Sequence, residues 1–393
     1  MSKPLIFIDQ TINQGFKQAL SKGKITELVR LTKDICLDCA DIDFDNWSKL
    51  PEKSGLPIKK MRGNIEPCSQ QILEAAKLGM KAVTISIYFQ DVLEVEQISK
   101  ALKQAKELNL VVGLRIGDAS ALTALELVNF VECFDSELID TLIYCDEDSL
   151  LEPLSTYDIL SFLSQKLKQE LEFHAYNDMG LAAGNTLAAI RAGVRRVAVE
   201  IAGTELYAAL EQVMLGCKFL INEPIEISNK LADLCSQAAA CFGKALPQNR
   251  PIIGNNVFAH ESGIHVDGVI KNPELYEPFA PEVVGLTRKL VIGKHSGTAS
   301  IKAKLRSWNM PISEFTAVLL LDLVRKKAND IRGPLSDFEL INLYYEIFGL
   351  VQDNAIGGVE ICREEKKYTS LIRHCGMGNR RQAWFLPQKK SLQ

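Results

Sequence analysis

The sequence has little net charge and no long apolar run. Its net charge is −4 over 393 residues, which gives no general attraction to nucleic acid or to an acidic membrane surface. No stretch approaches the roughly 18 consecutive apolar residues that a membrane-spanning helix needs. The chain begins MSKP, without a basic and apolar leader. We therefore predict a cytoplasmic protein that binds neither nucleic acid nor membranes.

A complete set of zinc ligands is also missing. The ten cysteines are scattered, and Cys36 and Cys39 form the only pair with C-x-x-C spacing. No second cysteine pair or histidine pair completes a zinc set. We predict reduced cysteines that pack in the core, and a redox or zinc-binding role for this pair is the alternative.

A dinucleotide-binding fingerprint is absent as well, since no G-x-G-x-x-G follows the first apolar run. The first 220 residues alternate β-rich runs with longer amphipathic stretches, a pattern typical of parallel βα units. Predicted strands cover 5–8, 40–44, 58–62, 82–87, 111–115, 141–145, 171–175 and 196–200, and predicted helices include 70–79, 92–108, 121–133, 156–169 and 183–193. Eight even repeats favour a closed barrel over an open doubly wound sheet. The predicted fold class is α/β, a (β/α)8 TIM barrel whose active site lies in the loops after the strands.

The pattern changes after residue 222. Further helices are predicted over 225–242, 312–327 and 336–348. Between Arg363 and Lys390 the chain carries eight Lys or Arg against two Glu, which predicts a solvated tail, with an anion- or partner-binding segment as the alternative. The predicted regions are a barrel over 1–222, a mixed linker subdomain over 223–310, a C-terminal helical subdomain over 311–350 and a weakly ordered tail over 351–393.

Three segments resemble one enzyme family. They are HESGIHVDGVIKNPELYEPFAPEVVGLTRKLVIGKHSG at 260–297, FHAYNDMGLAAGNTLAAIRAG at 173–193 and YCDEDSLLEPLSTYDIL at 144–160. On these motifs the chain resembles the homocitrate, isopropylmalate and citramalate synthases, which are acyl-CoA-condensing barrels of the DRE-TIM metallolyase class. The likeness covers about residues 4–349. The short C-terminal end, without a leucine-sensing regulatory domain, is most similar to the nitrogenase-associated homocitrate synthases, which implies a link to nitrogen fixation.

The resemblance implies an acyltransferase that joins acetyl-CoA to a 2-oxo acid, with 2-oxoglutarate favoured. In such enzymes a divalent Mg, Mn or Zn ion polarises the oxo-acid carbonyl, and an Arg neutralises the developing oxyanion. The family's metal ligands are an Asp after strand one, two His of an H-x-H after strand seven and an Asn after strand eight. The resemblance also implies a dimer in which the linker after one barrel covers the mouth of its partner's barrel.

This chain departs from the family's metal-ligand pattern. Gln14 stands where the family has the Asp, Tyr176 replaces the second His, and Tyr207 stands where the Asn is expected. His174 alone remains, as a remnant of the set or as a core hydrogen-bonding residue. A family Arg, Glu and Thr are replaced by Asn13, Phe16 and Glu147. Because an amide and two phenols with pKa values of about 10 are poor ligands, no metal is expected in this chain's own barrel.

The linker, in contrast, keeps the family pattern. His265 and Tyr276 match positions where homocitrate synthases have a His–Tyr pair implicated in acid–base work on acetyl-CoA. His260 and Glu261 lie in the same turn. We interpret these four residues as catalytic residues that act in trans, and the alternative is that they only hold the shape of the linker.

Three functions follow as hypotheses. The leading one is a non-catalytic or half-catalytic subunit that pairs with an active homologue and supplies His265 and Tyr276 in trans. The second is an independent homocitrate, isopropylmalate or citramalate synthase, or a homodimer of this kind, with low or altered activity. The third is a regulatory pseudoenzyme that binds an acyl-CoA or a 2-oxo acid. Because function resides in the site rather than in the fold, the barrel mouth decides among them.

Overall fold

A computed structural model describes residues 3–35, 37–50, 61–90, 95–261, 268 and 272–353, and for 348–353 it describes the helical backbone alone. The chain forms two compact units. One consists of Met1–Val257 and Pro281–Thr287, and the other consists of Phe258–Ala280 and Arg288–Gln393. The four-region division made from the sequence stays a prediction.

The first unit is a closed barrel of eight parallel strands. The strands are β1 Ile6–Asp9, β2 Cys39–Asp43, β3 Met61–Ile65, β4 Ala82–Ile87, β5 Val111–Ile116, β6 Thr141–Asp146, β7 Glu170–Ala175 and β8 Arg196–Val199. β8 closes the barrel on β1, where Phe7 pairs with Val197 and Asp9 pairs with Val199. Side chains on both faces of most strands are buried, as expected when helices cover a parallel sheet. The predicted (β/α)8 barrel is confirmed.

Amphipathic helices surround the barrel. They are α1 Thr11–Lys17, α2 Lys22–Asp34, α3 Phe44–Trp47, α4 Ser69–Lys77, α5 Val95–Glu107, α6 Ala124–Val131, α7 Pro153–Lys166, α8 Ala182–Arg191, α9 Leu210–Gly216 and α10 Leu231–Cys241. In α5, for example, Ile98, Ala101, Leu102 and Ala105 are buried, which is the spacing of one helical face. A capping box of Thr123 and Glu126 begins α6 and satisfies N–H groups that the first turn leaves open.

Two boundaries differ from the sequence predictions. The predicted strand over 58–62 ends too early, because β3 continues to Ile65 and pairs Met61 to Asn64 with Ala40 to Asp43 of β2; residues 58–60 lie outside the described residues. The helix predicted from residue 225 begins at Leu231 instead. Pro224 cannot donate a backbone hydrogen bond, and the Ser228 hydroxyl accepts the Lys230 N–H in a turn before the helix.

The second unit combines a small sheet with helices. Its strands β9 Ala259–His260 and β10 Lys289–Leu290 are parallel. Its helices are α11 Thr298–Ser307, α12 Glu314–Ile331 and α13 Asp337–Asp353. Apolar side chains from all three, including Leu305, Leu320 and Leu340, form a separate core. Among the described residues, no helix has the length and apolarity to cross a membrane.

Candidate active site at the barrel mouth

The carboxyl ends of the strands surround a cavity of about 860 Å³. Parallel strands all end at one face of a barrel, so the residues that follow them converge there. Residues at the ends of β1 to β3 contribute Asn13, Asp43 and Asn64, and those at the ends of β4 to β8 contribute Tyr88, Arg115, Glu147, Tyr176 and Tyr207. The volume is within the range of small-molecule sites.

The family carries its metal ligands at four positions, and three of them line this cavity in the present chain, as His174, Tyr176 and Tyr207. The ring centroids of His174 and Tyr207 lie 6.1 Å apart, and the hydroxyls of Tyr176 and Tyr207 are 2.9 Å apart in a hydrogen bond. Gln14 is buried on α1, and its Nε2 has no hydrogen-bond partner among the described residues. Gln14 does not line the cavity, so only the other three positions come together there.

The two phenols are neutral hydrogen-bonding groups. Burial raises the pKa of Tyr207 well above its ordinary value, and the neighbouring Tyr176 adds to the effect. Burial also raises the pKa of Tyr176, although the charge of Arg115 opposes this. Phenols that keep their protons and bond each other offer no anionic oxygen to a divalent ion.

Glu147 connects these phenols to three further strands. Its carboxylate forms an ion pair with Arg115 and accepts hydrogen bonds from Tyr88 at 2.9 Å and Tyr176 at 3.4 Å. We call Tyr88, Arg115, Glu147, Tyr176 and Tyr207 the Glu147 cluster. The Tyr88 ring packs directly on Gly117, where an added Cβ would lie 2.8 Å from ring atoms Cδ1 and Cζ. Glu147, Tyr176 and Tyr207, which all depart from the expected motifs, thus belong to one bonded group.

Asn13 belongs to a second group on β1 to β3. Its Nδ2 donates to Asp43 Oδ1 at 3.0 Å, and its Oδ1 accepts the Asp43 N–H at 3.0 Å. Asn64 Nδ2 donates to the same carboxylate oxygen at 3.1 Å. The residue predicted to replace a catalytic Arg therefore serves to orient a carboxylate. Phe16, the other replacement in this loop, is partly buried.

A charged network lies deeper in the barrel. Arg62 Nε and Nη2 donate to the two oxygens of Asp41 at 2.8 and 2.9 Å, and its Nη1 and Nη2 donate to Glu172 at 2.9 and 2.5 Å. Glu172 also accepts from Arg196 Nε at 2.9 Å and contacts His174 Nε2 at 2.7 Å. We call Asp41, Arg62, Glu172, His174 and Arg196 the Arg62 network.

His174 is charged in this environment. Burial disfavours the imidazolium, but contacts with the Cys145 thiol and the Glu172 carboxylate outweigh it and raise the pKa to about 9. The raised pKa favours the protonated ring, in which both nitrogens act as hydrogen-bond donors. His174 is therefore a buried hydrogen-bonding residue of the core.

Two further carboxyl groups organise the loops of the mouth. Asp9 accepts the backbone N–H of Thr11 and Ile12, and burial raises its pKa to about 6. Glu200 accepts the backbone N–H of Glu205, Leu206 and Tyr207, and burial raises its pKa to about 7. Glu200 thereby sets the course of the loop that carries Tyr207.

Comparisons with known proteins identify the family of this chain. Residues 75–215 match the family described as HMGL-like, and residues 252–331 match the one described as Homocitrate synthase post-HMGL domain-like. A 2-isopropylmalate synthase of Caldanaerobacter subterraneus is 31% identical over 369 residues, which cover 88% of this chain and 96% of that protein. The chain belongs to the isopropylmalate, homocitrate and citramalate synthase family.

Other members of the synthase family match over shorter lengths. Homocitrate synthase 1 of Nostoc sp. is 38% identical over 52% of this chain and 55% of that protein. An (R)-citramalate synthase of Methanocaldococcus jannaschii is 31% identical over 67% of this chain and 54% of that protein. Among solved structures, an HMG-CoA lyase from Brucella melitensis has a TM-score of 0.52 at 11% identity, covering 62% of this chain and 98% of that one, which supports the barrel fold.

The synthase family depends on a divalent metal, and one group of side chains in this barrel has the composition of a metal site. Ligand atoms of Asp41, Glu172 and His174 lie within 4.8 Å of one another, a spacing suited to an ion. The Arg62 guanidinium, however, already bonds both carboxylates. At the mouth, the family's ligand positions hold two protonated phenols and the uncharged Gln14. Among the barrel residues that the structure describes, these groups do not fit a divalent ion as they stand.

The linker residues predicted to be catalytic lie in the second unit, and the structure describes three of them. His260 Nε2 is 3.8 Å from Glu277, a buried carboxylate that also pairs with Arg288 at 2.7 Å. Tyr276 is 43% exposed, and its ring lies against Gly268. His265 lies outside the described residues, so the acid–base role of the set stays a prediction.

Glu261 makes contacts that hold the linker's shape. Its carboxylate accepts the backbone N–H of His295 at 3.0 Å, and its backbone carbonyl accepts the Ser296 hydroxyl at 3.2 Å. These contacts favour the alternative reading of Glu261 as a structural residue.

The described cysteines are free thiols. Four of them are buried, namely Cys145, Cys217, Cys235 and Cys241. Burial raises the pKa of Cys39 to about 12, which disfavours the reactive thiolate form. Its C-x-x-C partner Cys36 lies outside the described residues.

Several residues that shape the site were missed from the sequence. Asn64 lies beyond the predicted end of the third strand, whereas Arg62 and Arg115 lie inside predicted strands and not in the loops that follow them. One signal was present: alternate residues of a strand face the same side, so Glu172, His174 and Tyr176 share the inner face of β7. The same rule places Asp41 and Asp43 on one face of β2.

Proposed function

We propose that this chain is a subunit of a condensing enzyme of the homocitrate synthase type, and that its own barrel does not catalyse the condensation. It pairs with an active homologue and supplies His265 and Tyr276 to that partner's barrel. The partner's barrel holds the divalent metal and the 2-oxo acid, for which 2-oxoglutarate is favoured. A setting in nitrogen fixation belongs to the same proposal and is supported by the motif resemblance alone.

The Glu147 cluster is the observation that carries this proposal. Glu147, Tyr176 and Tyr207 replace a Thr, a His and an Asn of the family pattern, and they are joined by hydrogen bonds. Substitutions that accumulate without selection have no reason to satisfy one another, and a buried polar group left without a partner is costly. Their mutual bonding supports a barrel that was selected to be stable without the catalytic ion.

Charge at the mouth supports the same conclusion. Five carboxylates line the cavity against two Lys or Arg side chains, and Arg115 is already paired with Glu147. Even with His174 protonated, negative groups are in excess. A dianionic oxo acid would meet repulsion here unless a metal offset it, and the residues do not fit one.

Retention of the linker supports the action in trans. Residues 252–331 match the homocitrate synthase post-HMGL description, while the barrel motifs have changed. A chain whose only task was structural would have little reason to keep a His–Tyr pair suited to proton transfer.

Complementation tests the proposal. An active homologue whose own His–Tyr pair has been removed is mixed with this chain, and condensation of acetyl-CoA with 2-oxoglutarate is measured in the presence of Mn²⁺. We expect activity in the mixture and none from either chain alone. Tyr276→Phe in this chain should lower kcat about 10²-fold, whereas the matched control Tyr345→Phe, at a tyrosine 54% exposed on α13, should leave it unchanged. Turnover by this chain alone would contradict the proposal.

One observation favours a second candidate function, a ligand-binding pseudoenzyme. The cavity persists at about 860 Å³, and Asn64 Oδ1 in its lining has no hydrogen-bond partner among the described residues. Thermal-shift measurements with acetyl-CoA and with 2-oxoglutarate, without metal and without a partner, separate the two. A saturable rise in Tm for the isolated chain supports the pseudoenzyme, and no rise supports the pairing subunit.

A further inference from the structure

Asp41, Glu172 and His174 place two carboxylates and an imidazole on neighbouring parts of the barrel interior. Each is at most 1% exposed, and their ligand atoms lie within 4.8 Å of one another. Of the two imidazole nitrogens of His174, Nε2 faces the carboxylates, at 2.7 Å from a Glu172 oxygen. Two carboxylate donors and one imidazole donor, from which the ion must displace a proton, make a set that Mn²⁺ and Zn²⁺ accept.

Arg62 supplies the positive charge that this set requires. Its planar guanidinium forms four N–H···O bonds of 2.5 to 2.9 Å, two to Asp41 and two to Glu172. A guanidinium is charged at every accessible pH and matches carboxylates in this paired geometry. Two buried carboxylates this close would be strongly destabilising without a cation between them.

We propose that Arg62 closes a latent divalent-cation site formed by Asp41, Glu172 and His174. The guanidinium takes the position between the carboxylates that an ion would need, so the wild-type chain excludes Mn²⁺ and Zn²⁺ there. Removing the guanidinium while keeping the three donors converts the same residues into a cation site. This inference concerns the barrel interior and does not depend on the pairing proposed above.

Metal titration of the full chain tests the inference. Arg62→Met removes the charge and keeps an unbranched side chain, and Arg62→Lys is the matched control that keeps a cation. Purified proteins are stripped with a chelator and titrated with MnCl2 or ZnCl2, and Tm and bound metal per chain are measured. We expect Arg62→Met to bind one equivalent, with an affinity at least tenfold higher than wild type and a saturable rise in Tm. Wild type and Arg62→Lys should show neither.

Two further results decide the assignment. In Arg62→Met, adding Asp41→Asn should abolish the bound equivalent, whereas adding Glu96→Gln, at an exposed ion pair with Lys100, should keep it. Metal binding that survives Asp41→Asn, or equal binding by wild type, would overturn the inference.

The inference also stays testable if the charge-deleted protein is unstable. Arg62→Met that folds only when Mn²⁺ or Zn²⁺ is added supports the proposal. If neither Arg62→Met nor Arg62→Gln folds with either metal present, a divalent ion cannot replace the guanidinium, and the proposal is wrong.

Discussion

The Arg62 network and the Glu147 cluster lie in one barrel, but they bury polar groups by different means. In the Arg62 network, every charge meets an opposite charge, and the side chains of Asp41, Arg62 and Glu172 are 4% exposed or less. In the Glu147 cluster, one ion pair is surrounded by neutral phenols, and Tyr88 is 42% exposed. Breaking a buried ion pair costs far more than removing a neutral hydrogen bond. Substitutions in the Arg62 network should therefore lower the free energy of unfolding more than substitutions in the Glu147 cluster.

The largest expected effect is at Asp41. Asp41→Asn keeps the shape of the side chain but leaves the Arg62 charge partly unpaired in the interior. We expect the free energy of unfolding to fall by about 3–5 kcal/mol, measured by urea denaturation at pH 7. Glu96→Gln, which removes the exposed partner of Lys100, should cause no measurable change. Equal losses of unfolding free energy in the two variants would contradict the prediction that buried ion pairs contribute more to stability than exposed ones.

The dependence of stability on pH tests whether the buried carboxyl of Glu200 at the barrel mouth has a raised pKa. Its pKa is raised to about 7 in the folded chain, so its stabilising contribution is present below the unfolded pKa near 4.5 and is lost as pH rises through 7. Glu200→Gln does not titrate, but it cannot accept all the N–H groups that Glu200 accepts.

The stability gap between wild type and Glu200→Gln should therefore be larger at pH 4.5 than at pH 7.5. The difference should be about 3 kcal/mol, from 2.5 pKa units at 1.36 kcal/mol each. Urea denaturation of both proteins across this range measures it. A gap that does not change with pH would show that the carboxyl has an ordinary pKa.

The smallest expected effect is at the phenol pair. Tyr207→Phe or Tyr176→Phe removes the same 2.9 Å hydrogen bond, and each should lower the free energy of unfolding by about 1 kcal/mol. Tyr176→Phe also removes the longer bond to Glu147 at 3.4 Å, so its loss should be the larger of the two. The double variant should lose less than the sum, because the bond can be broken only once. Tyr157→Phe, at a tyrosine 44% exposed, is the control. Fully additive losses would mean that the two hydroxyls are not coupled.

The barrel was predictable from the sequence because alternation of strands and helices is a local pattern. The predicted strand over 82–87 coincides with β4, and most others agree within one residue at each end. The third predicted strand ends at residue 62, three residues before the end of β3, because cross-strand pairing, which is not local, positions that strand. The same limit applies to the site. Motif comparison located His174, Tyr176 and Tyr207, but it could not show that Glu147 bonds Tyr176 or that Arg62 reaches both Asp41 and Glu172. Those contacts depend on the closure of the barrel.

Gly117 has a consequence for access to the cavity. Because the residue has no side chain, the Tyr88 ring rests on bare backbone and its hydroxyl reaches Glu147. A single methyl group at position 117 would displace the ring and detach that hydroxyl. The position of the Tyr88 ring beside the cavity thus depends on the missing methyl group at position 117, and an alanine there would loosen the Glu147 cluster at the residue that follows β4.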